Sequence, residues 1–98
     1  MVRRGLVWSA MSVESFHARV QRHMRVQIPR LIRWRYKLIP GQVFRASLKR
    51  SGSYGDEQFW VQMQKGGRFA IPKLVAEVLE LKPHDLVKVT LWLPKAEV

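Results

Sequence analysis

The sequence predicts a mainly β domain with short helices, in which two copies of one strand, strand, helix, strand unit share a single core. Two observations carry this. Residues 16–48 repeat as residues 59–91 at a constant offset of 43 with no gap, and nine of the 33 aligned positions are identical, against roughly two expected by chance. The chain has 98 residues and is 47% hydrophobic, enough for one modest core, whereas two separate cores of ~35 residues each would be marginal. The copies therefore need each other.

Each element can be justified in order. Residues 1–15 read as a basic N-terminal extension, and residues 16–98 as one domain made of repeat 1 (16–48), a linker (49–58) and repeat 2 (59–93). Phe16, Ala18 and Val20 alternate with polar residues, as do Phe59, Val61 and Met63; a period of two marks a half-buried strand. A polar turn follows, Arg22 to Met24 or Lys65 to Gly67. Then comes a short strand with Val26 and Ile28, or Phe69 and Ile71, facing inward, so the pattern reads as a hairpin.

Pro29 and Pro72 suit the first turn of a helix, where the missing N–H would have no partner anyway. In repeat 2, Leu74, Val75, Val78 and Leu79 form an apolar stripe that Pro83 ends; repeat 1 offers Leu31, Ile32 and Tyr36 before Pro40. Arg35 stands where Val78 does, so either its stem lies along the core or the helix is rotated. Phe44, Ala46 and Leu48, matched by Val87, Val89 and Leu91, alternate as a closing strand. The run from Lys49 to Gln58 has turn chemistry and no periodicity.

Gly67-Arg68-Phe69-Ala70-Ile71-Pro72-Lys73, the helix after it, and Leu81-Lys82-Pro83-His84-Asp85-Leu86-Val87 resemble the pattern of AbrB/MazE/SpoVT domains. Arg25-Val26-Gln27-Ile28-Pro29-Arg30 and Leu38-Ile39-Pro40-Gly41-Gln42-Val43 are similar to it again, so the resemblance covers about two thirds of the chain. It implies a small β-barrel built from two such units, usually on two chains. With both units on one chain, it implies a single-chain pseudo-twofold barrel, of swapped-hairpin or cradle-loop type. This chain departs from the pattern at His23 and Met24 (turn glycines), Gln42 (Asp), His84 (Gly) and Ala76, where Arg33 keeps the helix arginine.

Charge is distributed unevenly. The net charge is +11, and all of it lies in residues 1–50, which hold twelve Lys/Arg and one acid, Glu14; residues 51–98 hold six of each sign. Ten of the twelve are arginines: Arg3, Arg4, Arg19, Arg22, Arg25, Arg30, Arg33, Arg35, Arg45 and Arg50, joined by Lys37 and Lys49. Guanidinium forks suit phosphate, so a polyanionic partner is expected. Trp34 and Tyr36, set among these arginines, are candidate stacking groups for unpaired bases. In repeat 2 the candidate contacts are Lys65, Arg68 and Lys73. Trp60 and Trp92 align with His17 and Lys49 and should face outward, to stack on unpaired bases or meet a protein neighbour, or else lie beneath the N-terminal segment.

Catalysis is not expected. There is no cysteine, and His17, His23 and His84 lack metal-ligand spacing. Ser51 to Gly55 lacks the lysine and the strand-loop-helix setting of a phosphate loop, and Asp85 reads as a turn cap. Neither a cofactor nor a metal is expected, and no window approaches a membrane span. The first eleven residues only loosely imitate a signal peptide, so a cytoplasmic location is expected. The expected function is binding of structured RNA by a ribosomal or ribosome-associated protein, monomeric when isolated. The alternative is an AbrB-like DNA-binding regulator or chromatin protein, with Arg22, Arg25, Lys65 and Arg68 on the duplex.

Overall fold

The computed structural model describes residues 11–94. Eight elements follow in order: β1 (Met11–Arg19), β2 (Arg25–Gln27), α1 (Arg30–Arg35), β3 (Val43–Arg50), β4 (Asp56–Gln62), β5 (Arg68–Ala70), α2 (Lys73–Val78) and β6 (Leu86–Pro94). The described chain is thus mainly β with two short helices. A four-stranded antiparallel sheet runs β1-β6-β3-β4, and β2 pairs with β5 as a two-stranded ribbon.

Every named strand pair joins the two repeats. β1 takes β6 and β4 takes β3, so Phe16 faces Val89 as Phe59 faces Ala46. Positions related by the 43-residue offset lie directly opposite each other at Val26 and Phe69, and at Ser47 and Thr90. The expected hairpin within each repeat is corrected by this pairing. β1 and β2 meet only at a Gln21–Arg25 bridge, with Gln21 N–H donating to the Arg25 carbonyl at 2.8 Å, and Gln64 N–H repeats the contact to Arg68 at 2.7 Å. The ladder stops after this one bridge, and β2 pairs along its length with β5 of the other repeat.

The core follows the alternation read from the sequence. Val20, Val26, Ile28, Phe44, Leu48, Val61, Met63, Phe69, Ile71, Val87, Val89 and Leu91 are all buried in one cluster. Complete burial of such a side chain contributes about 1.5–3 kcal/mol. The helices bury less than expected. Each has six residues, and only Ile32 and Val75 are fully enclosed, with Tyr36 and Leu79 packed beside them four residues on. Leu31, Leu74 and Val78 are exposed, because under two turns of helix present one narrow face to the core. Arg35, at the position of Val78, faces solvent as well, so neither needs burial. Pro29 and Pro72 sit one place before the first helical residue, with φ near −57° and ψ near 141°.

Two boundaries shift. β1 begins at Met11 rather than Phe16, since Met11 to Ser15 pair with Pro94 to Thr90; that stretch of the expected 1–15 extension is strand. Likewise Lys49 and Arg50 complete β3 and Asp56 opens β4, leaving 51–55 as the turn. Residues 1–10, with Arg3, Arg4 and the apolar Leu6 to Trp8, lie outside the described residues.

The sequence departures leave the backbone unchanged. His23 and Met24 adopt φ of 64° and 53° where Gly66 and Gly67 have 88° and 82°, and His84 at 79° matches Gly41 at 93°. Gln42 Oε1 accepts from Ile39 N–H at 3.1 Å, as Asp85 Oδ2 accepts from Lys82 N–H at 2.8 Å. The cap expected at Asp85 is therefore present in both copies.

Candidate nucleic-acid interface

The β2–β5 ribbon turns Val26 and Phe69 into the core, which leaves Arg25, Gln27, Arg68 and Ala70 on its other face. Across the register Arg25 faces Ala70 and Gln27 faces Arg68, so the two arginines stand diagonally at equivalent positions of the repeats. The end of β1 and its turn add Arg19, Arg22 and His23, and the turn before β6 adds His84. Together they line an open groove of about 620 Å³ with Gln21 and Gln27 among its walls, and among the described residues no carboxylate lines it.

Local contacts hold parts of this groove. Arg19 Nη1 donates to the His84 carbonyl at 3.1 Å, and Gln27 Nε2 donates to the Gly66 carbonyl at 2.8 Å. Arg25 Nε and Arg68 Nε are buried without a hydrogen-bond partner. A buried donor left unpaired costs about 1–3 kcal/mol, and both arginine side chains line the groove. The arrangement can therefore take phosphate oxygens.

The equivalent place in the other half is weaker. Gln62 stands for Arg19 and donates to the Gly41 carbonyl at 3.2 Å, copying the Arg19–His84 contact without its charge. Lys65 stands for Arg22. Arg68, which lies in the charge-neutral half of the sequence, joins the first-half arginines in this groove.

The remaining candidates separate into two other places. Arg33 Nε donates to the Ile28 carbonyl at 3.0 Å, and its side chain passes over Gly67, where an added Cβ would lie 2.6 Å from Arg33 Cδ. Arg30 stacks on Trp34 at 5.4 Å, and Trp34 is 67% exposed. Tyr36 is drawn inward: its ring packs on the core and its hydroxyl donates to Glu14 Oε2 at 2.6 Å, with Arg35 Nη1 on the same oxygen at 3.1 Å. Tyr36 is therefore not a free stacking surface. The Tyr36 hydroxyl lowers the Glu14 pKa most, and Glu14 in turn raises that of Tyr36. Lys37 and Lys73 are exposed, on α1's exit and at the start of α2. Arg50 Nε reaches Asp85 at 4.0 Å.

Arg45 and Lys49 lie on the outer face of the large sheet. Arg45 faces Trp92 on one side and Trp60 on the other, with its guanidinium 5.9 Å from the Trp60 ring centre. Sequence reasoning found both tryptophans outward but missed this arrangement, and it missed His23, His84 and the glutamines as groove walls. A composition signal existed for each; only the register joins them. Among the described residues no group of three or more His, Asp or Glu could hold a metal ion, and no helix is long and apolar enough to cross a membrane.

Fold and groove together define the class of protein: a small antiparallel β domain with a basic groove. No protein-family model matches the chain, and no curated protein matches it. Among solved structures it is similar to the solution structure of PHS018 from Pyrococcus horikoshii, with a TM-score of 0.71 and 23% identity over 86% of this chain and 94% of that one. At that identity the likeness speaks for the fold alone.

Proposed function

We propose that this chain is a non-enzymatic, cytoplasmic nucleic-acid-binding protein that holds structured RNA in the manner of a ribosomal or ribosome-associated protein. The observation that carries the reading is the groove: Arg19, Arg22, Arg25 and Arg68 converge with no carboxylate among the described residues of its walls. Arginine forks match phosphate, and such contacts dominate nucleic-acid affinity. The one-sided charge fits an irregular RNA surface better than a twofold duplex reader, which wants both halves alike.

In the same reading the two repeats close as one pseudo-twofold barrel of the AbrB-like kind, and the isolated chain is a monomer, because each repeat already completes the other's strands. A second reading keeps one specific support. Arg25 and Arg68 occupy equivalent ribbon positions with the same unpaired nitrogen, which suits a DNA regulator that docks along its own dyad.

The experiment is to recover the protein from its native cell and separate ribosomal particles from chromosomal DNA. Cosedimentation with ribosomal particles is expected, abolished in high salt. Exclusive recovery with DNA overturns the RNA reading and favours the regulator.

A further inference from the structure

The register sets four side chains in one row across the outer face of the large sheet: Val13, Trp92, Arg45 and Trp60 are consecutive cross-strand partners. The indoles stand on the two strands flanking β3, so their backbones are roughly 10 Å apart. Trp60 is 67% exposed, and Met11 and Val43 extend the same open groove of about 810 Å³.

Farther along the strands the character of the face changes in steps. The next row has Ser15 Oγ bonded to Thr90 Oγ1 at 3.1 Å. The row after that sets His17, Lys88, Lys49 and Asp56 side by side. Lys49 and Lys88 are direct cross-strand partners, both exposed. Like charges placed so are destabilising unless an anion lies across them. Asp56, the cross-strand partner of Lys49 on its other side, accepts from Ser47 Oγ at 2.7 Å and offsets one of the two charges, which leaves the row net positive. Lys88 is about 13 Å from Trp92, four residues along one strand.

We infer that this face is a second RNA contact, a platform on which Trp60 and Trp92 stack unpaired bases while Lys49 and Lys88 hold the phosphates of the same strand. The inference rests on the proposed RNA reading and adds the kind of RNA: single-stranded, at a surface separate from the arginine groove. Charge decides the occupant. An apolar protein partner would bury Arg45 and the facing lysines without neutralising them, whereas a polynucleotide supplies rings for the indoles and anions for the lysines in one chain. Open four-stranded sheets with aromatic side chains stack about two or three bases in this way.

The test uses the full chain and two probes, an oligouridine and an RNA duplex of equal length, at one fixed salt concentration, with the oligouridine titration repeated at a second. Trp60→Ala and Trp92→Leu should each weaken oligouridine binding about tenfold, Trp60→Phe should keep most of it, and Lys49→Gln with Lys88→Gln should flatten its salt dependence. Duplex binding, carried by Arg22 and Arg25, should stay as in the parent protein. Unchanged thermal unfolding shows that the variants are folded, and Trp60→Phe provides the comparison if Trp60→Ala is not. Oligouridine affinity indifferent to both tryptophans overturns the inference but leaves the groove reading intact if Arg22→Ala still weakens duplex binding. Binding of neither probe by the parent protein overturns both. A change in sedimentation caused by Trp60→Ala without RNA makes the face a protein contact and also overturns it.

Discussion

The Tyr36 hydroxyl donates a 2.6 Å hydrogen bond to Glu14 Oε2, tying the exit of α1 to the edge strand β1. Arg35 shares the oxygen at 3.1 Å, but its side chain is 60% exposed, so solvent discounts that ion pair. In repeat 2 the corresponding residues are Glu57, Val78 and Leu79, and that tie has no counterpart. One copy of the unit is closed by a polar clasp and the other by apolar packing.

This clasp has a pH signature at both ends. The folded Glu14 pKa is lowered, so its contribution is present above the ordinary carboxylate value and is lost as pH falls through the folded value. The folded Tyr36 pKa is raised, so its contribution is present below the ordinary phenol value and is lost as pH rises through the folded one. The window runs from about pH 5 to about pH 10. Tyr36→Phe should cost about 1 kcal/mol inside it and progressively less below its acid edge, measured by urea unfolding at several pH values. An equal cost at pH 7 and pH 3 would contradict the assignment.

Gly67 and Arg33 fit as a pair, with no room for a side chain on the first. Their equivalents, Met24 and Ala76, reverse the sizes, and both pack beside the core. Gly67→Ala should destabilise by about 1–3 kcal/mol, from left-handed backbone strain and from displacing Arg33. Adding Arg33→Ala should recover the steric share but not the backbone share, so the two effects will not add. A double-mutant cycle by thermal unfolding checks this; strict additivity would mean the Arg33 side chain moves aside freely.

The groove should be polar in function. Arg19→Ala with Arg22→Ala should reduce RNA affinity by more than tenfold and lower the salt slope by about one for each phosphate that is no longer neutralised. Gln62→Ala with Lys65→Ala, the equivalent pair, should cost much less. Arg68→Ala should behave like Arg25→Ala despite lying in the neutral half, because both side chains line one groove. Titrations at two salt concentrations decide, and equal losses from the two pairs would favour the symmetric DNA reading.

A chain ending at Arg50 should not fold alone. Its β1 and β3 both pair with β6, and β3 also pairs with β4, all of which it lacks. Circular dichroism and sedimentation should show an unfolded chain or a self-paired dimer. A folded monomer would mean that one repeat suffices.

By themselves, the 43-residue repeat, the alternation in Phe16 to Val20 and Phe44 to Leu48, and the prolines before each helix already specify the kinds and order of the elements and most of the core. Those features are local: a period of two states which face of a strand is buried, and a proline states where a helix begins. They do not state which strand lies beside which, since any apolar face can cover any other of similar width. Pairing across the repeats is decided by tertiary packing: after the Gln21–Arg25 bridge, β2 takes its partner from β5 of the other repeat rather than from β1. From that pairing alone come the convergence of Arg68 with Arg19 and Arg22, the withdrawal of Tyr36 toward Glu14, and the row that sets Arg45 between Trp92 and Trp60. Charge and aromatic content were written in the chain; their neighbours were chosen by the sheet.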